Sequence, residues 1–251
     1  MEWVHFFGLS TEQWIWMIAA AFLTGFSKTG ISGLMMLVIP IVAGVFGGKD
    51  STGIMLPMLL IGDVFAIWYY NRHAEWGNIR RLLPWTLGGL LLGTAVGNLI
   101  NDRQFKALIA ASVLICLIAL IYTEIKGESL KIPEKAWLYA LSGILCGFTS
   151  MIGNAAGPIF SIYLLAKGFK KNDFMGTTAW FFLIINLTKL PLQIFWWHNI
   201  TLKTVAAAGA MIPAITAGAL LGAVLIRKLK EDHFRIAIVT MTAIAAIRLF
   251  L

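Results

Sequence analysis

Charged residues are scarce in this sequence. Asp, Glu, Lys and Arg make up only 13% of its 251 residues, while 59% are hydrophobic. Soluble domains carry about 25% charged and about 45–50% apolar residues, so a soluble globular enzyme and a disordered chain are both excluded. Because the apolar stretches run from end to end and do not alternate, the sequence predicts an all-α polytopic membrane protein and argues against a β-barrel.

Cysteines and catalytic motifs are equally sparse. Cys116 and Cys146 lie in apolar runs without a CxxC motif, so we interpret both as packing residues and expect no disulfide and no metal site. The sequence has no HExxH, GxSxG or Walker motif. We therefore expect no enzyme activity, no cofactor and no ATP-driven step. The net charge of +8 is typical of basic cytoplasmic loops, and we expect no nucleic-acid partner.

Apolar segments are separated by charged or glycine-rich breaks, which predicts about 8 to 10 membrane segments. The first, second, sixth and seventh segments are short. A helix of about 14–16 residues spans about 21–24 Å, less than the hydrocarbon core of about 30 Å. Each short pair is predicted to form two half-length helices joined at a break, or a hairpin of two short spans. The predicted segments are 13–26, 31–46, 52–70, 80–100, 104–123, 136–150, 155–168, 174–196, 202–226 and 233–250.

The two glycine-rich breaks resemble each other. Residues 25–33 and residues 147–158 both open with Gly-Phe-Ser/Thr and are rich in glycine and small polar residues. Further pairs of similar residues follow at an offset of about 122–129 positions, and one of these pairs aligns Asp63 with Asn186. The sequence therefore predicts two five-segment repeats, residues 1–125 and 134–251, joined by a cytoplasmic linker at 126–133.

The distribution of basic residues predicts the orientation of these repeats. If each glycine-rich pair is a hairpin, thirteen lysines and arginines lie on one side of the membrane and five on the other. The positive-inside rule then places both termini outside a prokaryotic inner (cytoplasmic) membrane and makes the repeats inverted. Inverted repeats with broken segments at matching positions indicate a secondary transporter. The sequence leaves open whether the hairpins cross the membrane or are re-entrant.

Three ionisable residues fall inside apolar segments, where the default interpretation is functional. Lys28 lies in the first break, and either binds an anion or lies in a cytoplasmic turn. Asp63 lies near the middle of the third segment. It is a proton-coupling candidate, or one half of a static ion pair. Lys189 shares a helix face with Asn186, beside a predicted kink at Pro191, which suits an oxyanion; the alternative is a lysine that snorkels toward the outer surface.

Small polar residues in the two breaks complete the predicted substrate site. Hydroxyl groups and bare backbone near a helix N-terminus favour an anion. Asn154 in the second break either hydrogen-bonds a ligand or caps a helix. The predicted substrate-binding residues are Ser27, Lys28, Thr29, Gly30, Ser32, Gly33, Gly153, Asn154, Asn186 and Lys189.

These residues resemble a known family. The breaks at 25–33 and 147–158, together with the stretch 186–191 (Asn-Leu-Thr-Lys-Leu-Pro), are similar to those of the TauE/SafE sulfite exporter family, also called the toluene sulfonate uptake permease family. The resemblance covers essentially the whole chain. It implies an inner-membrane carrier for sulfur-containing anions such as sulfite, thiosulfate or organosulfonates.

The functional prediction is a secondary membrane transporter of a small anion that works by alternating access, with Asp63 as the candidate for coupling to protons. An anion channel built from the same positive residues is the first alternative, and a non-transporting subunit of a membrane complex is the second. The expected partners are a small anionic substrate and the lipid bilayer. The sequence leaves the identity of the anion, the direction of transport and the oligomeric state open.

Overall fold

The architecture is helical throughout the residues that the structure describes. The structure is a computed structural model, and it describes residues 8–30, 35–126 and 136–228 together with His233 and Ile236. In chain order the α-helices are α1 (Thr11–Thr29), α2 (Met35–Phe46), α3 (Gly48–Tyr70), α4 (Trp76–Leu99), α5 (Asp102–Lys126), α6 (Ala136–Gly153), α7 (Gly157–Ala166), α8 (Lys171–Leu192), α9 (Leu202–Ala210) and α10 (Ile212–Lys228).

Helices coincide with the predicted apolar segments wherever those segments are described; the tenth, 233–250, lies almost entirely outside the described residues. The ninth segment, 202–226, is divided into two helices, because α9 ends at Ala210 and α10 leaves it at an angle of 51°. Pro213 has no N–H to donate to the carbonyl of Gly209, which explains a break at this point.

The sequence predicts a kink or loosening of the eighth segment at Pro191, and the winding of the helix changes two residues after it. The α-helix ends at Leu192 and continues as one turn of π-helix, Gln193–Trp197. Pro191 has no N–H to donate to the carbonyl of Leu187, so one helix hydrogen bond is missing in the turn before the π-helix.

Several helices are long and apolar enough to cross a membrane. Among the described residues, three helices are long and apolar enough to be membrane spans: Gly48–His73, Trp76–Leu99 and Lys171–Trp197. The bent pair of α9 and α10 is a fourth candidate if the two helices form one span. Large apolar side chains such as Trp68, Leu99 and Phe195 are more than half exposed, as expected for surfaces that face lipid. The chain is a multi-pass membrane protein.

Helices α1 and α10 lie in close contact along a glycine-lined interface. A Cβ atom placed on Gly25 would meet the backbone carbonyl of Ile215, and one placed on Gly218 would meet that of Phe22. Small residues at such positions let two membrane helices approach until their backbones touch. Thr29 adds a hydrogen bond across the interface, from its hydroxyl to the carbonyl of Ala219 at 2.6 Å.

Helices α4 and α6 pack in the same way. A Cβ atom on Gly89 would meet the carbonyl of Ile144, and one on Gly147 would meet that of Thr86. The first helix of each predicted repeat therefore packs against the fourth predicted segment of the other, through α10 in one case and α4 in the other. Helices α3 and α8 lie against each other between these two pairs. Lys28 from the first break, Met35 at the start of α2 and Asn154 from the second break lie beside them.

Candidate functional site

An open cavity lies where the two breaks meet helices α3 and α8. It encloses about 660 Å³ of empty space, a volume that includes its open mouth. Its wall is mainly apolar, with a few polar groups contributed by both halves of the chain. The polar residues on the wall are Ser27, Lys28, Asp63, Ser150, Asn154, Thr178 and Asn186.

Lys28 reaches the cavity from the end of α1 and forms an ion pair there. Its Nζ lies 2.6 Å from Oδ1 of Asp63, whose side chain is fully buried. The stem of Lys28 crosses α3 at Gly62, where an added Cβ would come within 3.0 Å of the lysine Cγ. Its ammonium also lies 4.7 Å from the ring centroid of Phe182. Lys28 is therefore held against the cavity wall, and not in a solvated turn.

Asp63 receives a second donor from the opposite helix. Nδ2 of Asn186 on α8 donates to Oδ2 of Asp63 at 2.6 Å. Each carboxylate oxygen thus faces one positively polarised group, Lys28 on one side and Asn186 on the other. A buried carboxylate is stable only with such partners, because an unpaired ion is strongly disfavoured in an apolar interior.

Lys189 lies behind the cavity wall and is fully buried. Its Nζ donates to Ser150 Oγ at 3.3 Å, to Asn186 Oδ1 at 3.3 Å and to Asn154 Oδ1. All three acceptors belong to residues that line the cavity. Lys189 therefore supports the wall from within and does not extend toward a membrane surface.

Asn154 lies in the second break, directly after the end of helix α6. Helix α6 ends at Gly153, and Asn154 adopts the left-handed backbone conformation with φ of 56°. Asparagine is among the non-glycine residues that enter this region most readily, which makes it suitable for ending a helix. Both interpretations of Asn154 are compatible with this geometry, because the residue ends α6 and its side chain lines the cavity.

Three predicted site residues pack elsewhere within the described part of the chain. The hydroxyl of Thr29 bonds the backbone of α1 and α10, Gly30 lies against Gly222, and Gly153 lies against Ile109. Two more, Ser32 and Gly33, lie outside the described residues. The remaining predicted residues, Ser27, Lys28, Asp63, Asn154, Asn186 and Lys189, line the cavity or contact residues that do.

Some residues of the site were missed at the level of sequence. Ser150 stands in the second break at the offset that relates it to Lys28, which was an available signal. Phe182 lies one helical turn before Asn186 and shares its face. Thr178 lies two turns before Asn186, and its buried hydroxyl makes no hydrogen bond to any described residue. Met35 and Phe182 had no polar signature to distinguish them from lipid-facing residues.

The site provides hydrogen-bond donors and positive charge without a metal-binding cluster. Across the described residues, no group of three or more His, Cys, Asp or Glu side chains is placed to hold a metal ion. Two lysines and one aspartate give the cavity region a formal charge of one positive unit. Such a region favours binding of a small anion.

Comparison with known proteins identifies the family. No curated protein matches the chain. A model of the family described as Sulfite exporter TauE/SafE matches residues 17–249, nearly the whole sequence, and the chain therefore belongs to this family.

Proposed function

We propose that this protein is a secondary transporter that carries a small sulfur-containing oxyanion, such as sulfite, thiosulfate or an organosulfonate, through the cavity by alternating access. Family membership implies a membrane transporter of sulfur-containing anions. The observation that supports transport of such an anion through this site is the cavity itself. Lys28 and polar residues of both breaks converge there, between two membrane helices. The membrane is the prokaryotic cytoplasmic membrane, with both termini outside.

The charge of the site supports an anionic substrate. Lys28 and Lys189 contribute two positive charges and Asp63 one negative charge, all within the apolar part of the molecule. A charge at this depth in a membrane is disfavoured by about 2.5–3.5 kcal/mol on insertion scales. A bound monoanion brings the site to neutrality, so substrate and site stabilise each other.

Matching helix contacts support two inverted repeats. Gly25 meets Ile215 as Gly147 meets Thr86, and Gly218 meets Phe22 as Gly89 meets Ile144. Corresponding members of these pairs lie about 122 or 129 positions apart, at the offset found in the sequence. Transporters built from inverted repeats move one repeat against the other around a fixed central site.

Asp63 is the proton-coupling group in this proposal. Its carboxylate holds Lys28 against the wall through the 2.6 Å ion pair. Protonation of Asp63 would release the Lys28 ammonium and leave two positive charges in the site, which a divalent anion such as thiosulfate would neutralise. One proton and one anion would thus enter the site together, and the pH gradient would drive their movement.

The test is uptake into proteoliposomes that contain the purified full chain. Radiolabelled sulfite, thiosulfate and methanesulfonate are offered with and without an imposed pH gradient. We expect saturable, gradient-dependent uptake of one of these anions, together with counterflow, which a channel does not support. Lys28→Met should reduce uptake at least tenfold, while Lys203→Met, at an exposed position remote from the cavity, should leave it unchanged.

Two results would overturn the proposal. Uptake that does not saturate and shows no counterflow would identify a channel. Absence of uptake of all three anions, by protein shown to be folded, would favour a different substrate or a subunit role.

A further inference from the structure

The hydrogen bonds of Lys189 determine the side-chain orientation of three residues that line the cavity. A lysine ammonium has three N–H donors and no acceptor. All three donors are engaged, with Ser150 Oγ, Asn154 Oδ1 and Asn186 Oδ1. Each partner must therefore turn an oxygen toward Lys189, whatever its other contacts.

This requirement fixes the orientation of both amide groups. Because Oδ1 of each asparagine faces Lys189, the NH2 group of each faces away from it. The NH2 group of Asn186 is used by Asp63, at 2.6 Å. Nδ2 of Asn154 is buried, and it has no hydrogen-bond partner among the described residues. Leaving a buried donor unpaired is unfavourable by about 1–3 kcal/mol, so this group is available to a ligand.

Two hydroxyl groups on the same wall are also available as hydrogen-bond donors. Ser150 accepts from Lys189, which leaves its own O–H free to point elsewhere. The buried hydroxyl of Thr178 also lacks a partner within the described part of the chain. Together with Nδ2 of Asn154, they form a set of donors on the cavity wall.

We propose that Lys189 is a positioning residue that does not touch the transported anion, and that it orients Asn154 and Ser150 as donors toward a ligand oxygen. The site then selects a group whose oxygens only accept hydrogen bonds, which is a fully ionised oxyanion such as a sulfonate. It discriminates against neutral groups of the same shape that carry N–H or O–H donors. This inference rests on the proposed transport function and assigns its selectivity to one buried lysine.

The test compares binding of methanesulfonate and methanesulfonamide, which have similar shapes and differ in charge and in the presence of an NH2 donor. Binding to the purified full chain is measured by isothermal titration calorimetry. We expect the wild type to prefer methanesulfonate by at least tenfold. In Lys189→Met the two amides are free to rotate, and this preference should fall about tenfold or more, whereas Lys189→Arg should retain most of it.

Variants of Asn154 separate positioning from direct contact. Asn154→Gly removes the amide without backbone strain, since glycine accepts a φ of 56°. Asn154→Asp keeps an oxygen for Lys189 but has no N–H to offer, and it should fold at least as stably as the wild type. Both variants should weaken methanesulfonate binding about tenfold or more, and Asn154→Asp should bind methanesulfonamide better than the wild type does.

The outcomes distinguish this inference from the proposal on which it rests. If Lys189→Met abolishes methanesulfonate binding while both Asn154 variants bind it as the wild type does, Lys189 contacts the anion directly and the inference is wrong. If the wild type binds none of the tested anions, the proposed function fails first.

Discussion

Asp63 and Asn186 are joined by a 2.6 Å hydrogen bond between α3 and α8, at the wall of the central cavity. Both side chains are almost completely buried, at 0% and 2% exposure. The offset between the predicted repeats places these two residues at equivalent positions. A carboxylate in one half of the chain is thus held by an amide in the other half, and Lys28 completes the arrangement.

The buried ion pair predicts a large loss of stability when one partner is removed. Asp63→Asn leaves the Lys28 ammonium without its carboxylate, and breaking a buried pair in this way destabilises a protein by about 3–5 kcal/mol. We expect a clearly lower unfolding temperature in detergent. The double variant Lys28→Met with Asp63→Asn should recover much of the loss, because it removes the uncompensated charge.

Asp173→Asn is the matched control for that experiment. Asp173 pairs with His73 at 3.6 Å, but both side chains are more than two-fifths exposed. Exposed pairs contribute about 0–1 kcal/mol, so this variant should unfold close to the wild-type temperature. Equal effects of Asp63→Asn and Asp173→Asn would contradict the interpretation of Asp63 as a buried, paired charge.

Two adjacent glycines on α4 predict opposite effects of the same substitution. In Gly89→Ala the new methyl group meets the carbonyl of Ile144 on α6, so the helices must separate. Overpacking of this kind destabilises by about 1–3 kcal/mol or more. In Gly88→Ala the methyl group enters open space, and alanine favours the helix by about 1 kcal/mol.

Thermal unfolding of the two purified variants provides the measurement. Gly89→Ala should unfold below the wild-type temperature and Gly88→Ala at or above it. Similar unfolding temperatures for the two variants would show that the backbones of α4 and α6 are not in contact at Gly89.

The first residue of α5 predicts a pH effect on stability. Asp102 accepts a hydrogen bond from the backbone N–H of Gly48, the first residue of α3, at 2.6 Å, and pairs with Lys106 at 3.1 Å. Slight desolvation raises the pKa of this carboxyl group, but the hydrogen bonds from Lys106 and Gly48 outweigh it and hold the pKa below its usual value. The ionised form is therefore the one that stabilises the folded state.

Because the folded-state pKa is lowered, this contribution is present above about pH 4, the range of the unfolded carboxyl group, and disappears as the pH falls through the folded-state pKa. Unfolding of the wild type and of Asp102→Asn is compared at pH 7 and at pH 3. We expect the wild type to be more stable at pH 7 and the difference to shrink at pH 3. A difference that is constant across this range would contradict the assignment.

Much of the site could be predicted because polar residues are so conspicuous in this sequence. Lys28, Asp63 and Lys189 stood out as charges in apolar segments, and such residues gather together since each is unfavourable when alone in a membrane. Asn154 and Asn186 were found through the break and the repeat offset. The apolar wall was missed, because Met35 and Phe182 resemble lipid-facing residues in composition and spacing.

The sequence by itself determined the class of this protein, its helical segments, its two glycine-rich breaks and the set of polar residues within them, because hydropathy and helix breaking are local properties of the chain. The tertiary structure alone decided which of those residues meet. It placed Lys28 against Asp63, Lys189 against Asn154 behind the cavity wall, and Thr29 against α10. The sequence does not predict these contacts, because they join residues about 35 to 190 positions apart. Their geometry depends on how α1, α3, α6, α8 and α10 pack together.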